Sequence, residues 1–475
     1  MDTKITRKRF SENQRNDKSI EKKTKFDKEP RNAVLPDEIW LKIMCHLNSK
    51  DLLITFGLVC KRFRCLTLDS KVLKVMVKNL KLKNINDKHK YTSAIKIIQN
   101  AENLNGISIE LSKPYWRHLM NHALKTSDLK SLELLDQVLV QYNEKPNLTL
   151  KDITKMVETG TKLEVLKIRN LKIELEDFKL IASIKTLKSL HFVDTSTTVK
   201  KCYVFTADNI IALGRNCKYL EDISFFTIYS LSPLSNEEIH AFGVFFNERR
   251  LTLRKLRLDG FFCTDAWLNP RSSFLKNIVL CENLEELTLM NCTLSKSGEE
   301  SISTLAGLKK LVNVNTYGHF IFKMDFSYLT YLVIEDTFSR REDLDKLSKI
   351  QFPALERVYI NFQEYSNQGT KHFLSNCPML KSAQFYVKEK NFGNNTNLKL
   401  ESIISMIELL EIAVNSDIYL DFGSTINSSL KAVLLQHGIS ESQSAMIDKY
   451  YGLKINFDQW CKDNNWWMNS WSQSN

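Results

Sequence analysis

Between about residues 100 and 400 the apolar positions return in one short phrase, Leu-x-x-Leu-x-Leu. Clear copies are LEVLKI from Leu163, LKSLHF from Leu187, LEDISF from Leu220, LRKLRL from Leu253, LEELTL from Leu284, LTYLVI from Leu329 and LERVYI from Leu355. Weaker copies start at Leu104, Leu129, Leu308 and Leu380. From Leu163 onward the starts lie 24, 33, 33, 31, 24, 21, 26 and 25 residues apart. Alternation in x-Leu-x-Leu is the period of a strand, with the leucines on its inner side. Stretches between copies, such as TADNIIALGRNCKYL, read as helices, and Thr206 is placed to cap that one. One strand and one helix per unit, stacked side by side, predict an α/β solenoid.

Ahead of the repeats the period lengthens. In AVLPDEIWLKIMCHL, Leu35, Ile39, Ile43 and Leu47 recur every four residues and share one helix face, which Trp40 and Met44 widen. Pro36 suits a first helical turn. A second helix is expected after Ser49 and Asp51, carrying Leu52, Leu53, Phe56, Val59, Cys60 and Phe63. A third is expected from about Ser70, with Val72, Leu73, Val75 and Met76. These short helices hold more large apolar side chains than they can bury among themselves, so a partner is expected to cover one face.

The two patterns carry two resemblances. LPDEIWLKIMCHLNSKDLLITFGLVCKRFRCLTLDSKVL resembles an F-box through Leu35, Pro36, Ile39, Ile43, Leu47, Asp51, Leu52, Val59, Cys60 and Lys61, with Phe63 where the family most often has Trp. The resemblance implies that Leu35, Pro36, Ile39, Ile43, Leu47, Leu52, Val59, Cys60 and Phe63 dock the Skp adaptor, and through it cullin and RING subunits of an SCF-type ubiquitin ligase. Most repeat spacings fit leucine-rich repeats of 20–29 residues. Cys217, Cys281 and Cys377, each three residues before a first leucine, and Cys292 after LEELTL make the repeats similar to the cysteine-containing class found in F-box proteins. The fold expected is an α/β leucine-rich-repeat horseshoe preceded by a small three-helix F-box domain. Expected boundaries are a basic disordered tail at 1–31, the F-box at 32–77, a linker or helical cap at 78–100, the solenoid at 101–455 and a Trp-rich tail or cap at 456–475.

Composition narrows the setting. No uncharged apolar run in the 475 residues approaches the ~18 a membrane helix needs, and the N-terminal stretch lacks the apolar core of a secretory signal. The ten cysteines form no C-x-x-C, which fits a reducing compartment, cytoplasmic or nuclear. Residues 1–31 hold 11 Lys/Arg against 6 Asp/Glu; the rest of the +12 net charge is spread too thinly along the sequence to mark a nucleic-acid groove. Neither a membrane nor a nucleic acid is therefore expected as a partner.

Residues between the repeat leucines should line the concave face. They include Lys167, Arg169, Ser189, His191, Ser224, Phe226, Lys255, Arg257, Asp259, Tyr331, Arg357, Tyr359 and Tyr386. Lys255, Arg257, Tyr331, Arg357, Tyr359 and Tyr386 read as a basic-then-aromatic strip for a protein substrate, since Arg and Tyr are common interface residues. Catalytic patterns are missing: the fourteen glycines never form G-x-G, and no G-x-S-x-G occurs. His118 and His122 share a helix face in RHLMNH, but Leu119 stands where a zinc protease needs Glu. No cofactor or metal is expected. The function expected is a non-catalytic substrate receptor of an SCF-type ligase; a non-ligase leucine-rich-repeat scaffold stays open as the alternative.

Overall fold

The computed structural model describes residues 35–44, residue 66 and most of 79–387. Residues 1–34, 45–65, 67–78 and 388–475 lie outside the described set. So do 83–84, 86–87, 111–114, 126–128, 136–146, 194–205, 227–234, 261–273, 363–366 and a few single or paired positions. The chain forms two units, one ending at Val72 and the other starting at Leu73.

In the first unit, α1 (Asp37–Met44) begins directly after Pro36, whose carbonyl accepts from the amides of Ile39 and Trp40 at 3.1 and 3.2 Å. Asp37 and Glu38 in the first turn and Lys42 in the last match the helix dipole. The second and third expected helices lie outside the described residues.

The second unit repeats strand and helix. Its first half runs β1 (Asn79–Leu82), α2 (Lys88–Asn100), β2 (Gly106–Glu110), α3 (Trp116–Leu124), β3 (Ser131–Leu135), β4 (Asn147–Leu148), α4 (Leu150–Thr159), β5 (Val165–Arg169), β6 (Lys172–Ile173), α5 (Leu175–Ile181), β7 (Ser189–Val193) and α6 (Ala207–Asn216). Then come β8 (Asp222–Phe226), α7 (Asn236–Arg249), β9 (Lys255–Asp259), β10 (Glu286–Met290), α8 (Lys296–Ser303), β11 (Lys310–Val314), β12 (Tyr331–Phe338), α9 (Arg341–Leu347), β13 (Arg357–Phe362), α10 (Asn367–Ser375) and β14 (Ser382–Val387). Twelve strands form one parallel sheet in chain order; β4 and β6 pair only with each other.

Register is kept from strand to strand, except for a shift between Ile334 and Phe338 where β12 pairs with β13, so equivalent residues form columns. Leu132, Leu166, Leu190, Ile223, Leu256, Leu287, Leu311 and Leu332 make one buried column. The first leucine of each phrase is buried as well, among them Leu104, Leu163, Leu187, Leu220, Leu253 and Leu355. Behind these columns lies a phenylalanine layer, where Phe225 meets Phe242 and Phe245 edge-on at 5.1 and 5.4 Å. The 33-residue spacings hold α6 and α7, and the described residues of the 21-residue spacing hold the 3-10 turn Phe320–Lys323. Thr206 caps α6 as expected, accepting from the Asn209 amide at 3.3 Å. Ser235 and Glu238 form a reciprocal capping box on α7. Gly214 lets these two helices close: a Cβ there would stand 3.1 Å from the Phe245 Cα.

Cys217, Cys281, Cys292 and Cys377 are buried free thiols. Burial pushes Cys217, Cys281 and Cys377 up to about 12, so they act as small apolar fillers rather than nucleophiles. One expectation about the sequence changes. The sheet starts at β1, pairing in register with β2, so residues 79–100 are a repeat rather than a linker or cap. The phrase is disguised in VKNLKL at 77–82, with valine at its first apolar position.

Candidate functional site

Leu35 (39 % exposed), just ahead of α1, and Ile39 (39 %) and Ile43 (37 %) on it are exposed, while Met44 is buried. The four-residue spacing carries them to the same side. Pro36 sets the start of the helix. Leu47, Leu52, Val59, Cys60 and Phe63 lie outside the described residues.

Across the sheet, the residues between buried leucines form the floor and walls of a groove of about 450 Å³ reaching from Glu133 on β3 to Glu335 on β12. Eight strands at the usual spacing of ~4.8 Å make it about 34 Å long. The structure revises the basic strip. Lys255 bonds Glu286, which also faces Lys310 at 3.8 Å; Arg257 bonds Asp259 at 3.3 Å. Lys310 stands 5.0 Å from the Tyr331 ring centroid. Cations and anions therefore alternate across strands, and the groove is close to charge-neutral. Asp259 lies on the same strand as Arg257, but the partners of Lys255 and Lys310 sit on the neighbouring strand, 31 and 24 residues away, where a charge read from one strand misses them.

The tyrosines also fall differently from the sequence reading. Tyr331 is register partner to Arg357, Val333 to Tyr359, and Asn361 to Tyr386. They climb diagonally, two residue positions per strand, instead of forming a row. Tyr359 is only 6 % exposed and packs with Met290, Val314 and Val333 in an apolar floor, against which Val312 and the half-buried Tyr331 lie. Tyr359 is thus a packing residue, and Tyr331 and Val312 are the accessible apolar positions of that end.

Sequence reasoning missed a polar network in the other half. His191 Nε2 lies 3.0 Å from Asp222 Oδ2, and its Nδ1 lies 2.6 Å from Ser224 Oγ. Ser189 Oγ donates to Asp222 at 3.2 Å. A ring protonated at Nε2 satisfies both sides, donating to Asp222 and accepting the Ser224 hydroxyl. Burial alone pushes the Asp222 carboxyl up, but hydrogen bonds from His191 and Ser189 and the charge of Lys255 outweigh it and hold the group below the usual carboxylate range. The atoms resemble a hydrolytic triad, yet Ser224 is 1 % exposed, which shuts a substrate away from its oxygen. The network fixes the groove wall. Only the strand register signals it, because 31 residues separate His191 from Asp222.

The rim after β9, β10 and β11 is built from left-handed residues. Gly260, Asn291 and Asn315 have φ of 76°, 51° and 46°. Asn291 donates to Asp259 at 3.0 Å, and Asn315 donates to Asn291 at 3.1 Å, so the side chains brace turns that only glycine and asparagine adopt readily.

A family model described as the F-box domain matches residues 34–74. The chain thus carries an F-box domain, followed by a parallel sheet of strand-and-helix repeats. No curated protein matches the sequence. Among solved structures, the complex of Rad7 and Elc1 in yeast is similar at 14 % identity, over 74 % of this chain and 90 % of that one, with a TM-score of 0.44. An internalin from Listeria monocytogenes str. 4b F2365 is similar at 10 % identity over 70 % and 87 %, with a TM-score of 0.34. The TLR13–ssRNA13 complex gives 14 % identity over 66 % and 51 %, with a TM-score of 0.32.

Proposed function

We propose that this protein is the substrate-recognition subunit of an SCF-type E3 ubiquitin ligase. The observation that carries the reading is the F-box at 34–74, with Ile39 and Ile43 exposed on one face of its first helix and Leu35 exposed just ahead of it. In water such a face is costly, and the helices of a Skp adaptor cover it. The F-box resemblance assigns Leu47, Leu52, Val59, Cys60 and Phe63 to adaptor docking as well. The adaptor links the chain to cullin and RING subunits, in the cytoplasm or nucleus.

The groove then holds the target. Its length suits an extended segment of about ten residues. Its near-neutral lining favours a segment that is apolar where it meets Val312 and Tyr331 and polar where it meets His191. Holding the target beside the loaded conjugating enzyme makes ubiquitin transfer effectively intramolecular, so the gain is proximity and the bond chemistry belongs to other subunits. Co-purification with the Skp adaptor tests the docking step. The wild type should retain the adaptor and a Leu35→Ala, Pro36→Ala double variant should lose it. A wild type that never retains the adaptor rejects the ligase reading.

A further inference from the structure

Residues 88–125 carry six Lys/Arg (Lys88, Lys90, Lys96, Lys113, Arg117 and Lys125) against Glu102 and Glu110. Folding concentrates most of these charges. Helices α2, α3 and α4 lie side by side on the convex flank. Lys88, Lys90, Lys96, Arg117, His118 and Lys125 are exposed there, and Lys155 of α4 is half-buried beside them. The described acidic groups on the same helices are Asp152, buried and bonded to Arg117 at 3.1 Å, and the exposed Glu158.

Ring side chains are interleaved with the cations. Tyr91 and Tyr115, both half-buried, stack at 4.6 Å with planes 24° apart. His118 meets Tyr91 edge-on at 6.4 Å, and His122 follows one turn later. Burial first, and then the charges of Lys125, His118 and Lys155, depress the His122 ring.

We infer that this flank of α2, α3 and α4 binds single-stranded nucleic acid, its lysines holding phosphates and its tyrosine–histidine rings stacking unpaired bases. The two requirements of such a surface are a positively charged track and aromatic platforms, and both occur here on adjacent helices. An acidic or phosphorylated peptide would engage the cations but leave the rings unused. The surface shares no residue with the lining of the concave groove.

The test is fluorescence anisotropy of the full chain with a labelled oligo-dT and a labelled oligo-rU of about twelve nucleotides, inside the usual ~4–16-nucleotide site size. Four lysine–phosphate contacts predict a log K against log salt slope of roughly −2.8. A Lys125→Glu, Lys155→Glu variant, altered at the surface, should weaken binding and reduce the slope by about 1.4. Tyr91→Leu should weaken binding at least about fivefold with the slope unchanged, because stacking releases no counterions. Preference for oligo-rU would make RNA the ligand, preference for oligo-dT would make it DNA, and either supports the site. Three results would overturn it: no oligonucleotide binding, binding lost only when the tail lysines Lys22, Lys23 and Lys25 are reversed, or heparin matching the oligonucleotide while Tyr91→Leu changes nothing.

Discussion

Asp222 shows how one side chain couples the groove to pH. Its carboxylate is stabilised by His191, Ser189 and Lys255 against the penalty of burial. The folded-state value lies below the ordinary ~3.9, so the contribution is complete above that value and disappears as pH falls through the folded one. Asp222→Asn should therefore lower the melting temperature at neutral pH, and the gap to wild type should narrow at an acid pH below ~3.9. Melting curves at the two pH values decide it; an equal gap at both would remove the carboxylate as the source. The sequence placed His191 and Ser224 on the inner face by alternation alone. It did not disclose their bonds to one another, since nothing local fixes which residue of the next strand lies opposite.

At the scale of elements, the residue just after each first leucine deserves the register it is given. Lys130, Glu164, Lys188, Glu221, Arg254, Glu285 and Lys309 alternate in sign along one edge of the sheet, and Glu356 and Lys381 resume the alternation after Thr330. Glu164 meets Lys188 at 2.9 Å and Lys130 at 3.5 Å; Glu285 meets Arg254 at 3.1 Å and Lys309 at 3.2 Å. Such exposed pairs contribute little individually, and a neighbour slipped by one repeat would bring like charges together. Glu285→Ala should cost less than about 1 kcal/mol, with most of the loss abolished near 1 M salt, where the screening length is ~3 Å. Chemical denaturation at low and high salt measures both. The strands and the capped helices were readable from period and cap residues. Strand β1 was harder to read because valine replaces its first leucine, and the β4–β6 pair is too short to leave a periodic signal.

From β1 to β14 the second unit is a one-dimensional stack, in which each repeat completes the core of its neighbours. Phe225 sits centrally in that stack, fully buried between Phe242 and Phe245. Phe225→Ala should destabilise by about 3–5 kcal/mol through the cavity it leaves. Hydrogen exchange should rise most in β7, β8 and β9 and fall away with distance along the sheet. A uniform rise over all strands would instead mean that the stack unfolds as a single cooperative unit.

By itself the sequence determined what depends on local period: apolar residues every second position for strands, every fourth for α1, a leucine to begin each unit, and the F-box pattern ahead of the repeats. Tertiary structure decided everything that depends on which strand lies beside which. Register turned a run of lysines and arginines into a neutral, ion-paired groove, and spread three tyrosines along a diagonal. It put Tyr359 in the floor and joined His191 to Asp222. On the convex flank it gathered dispersed lysines around stacked rings. The reason is range: hydrophobic period is written within a few residues, whereas side-chain pairing is set by strands that meet about twenty to thirty residues apart in the chain.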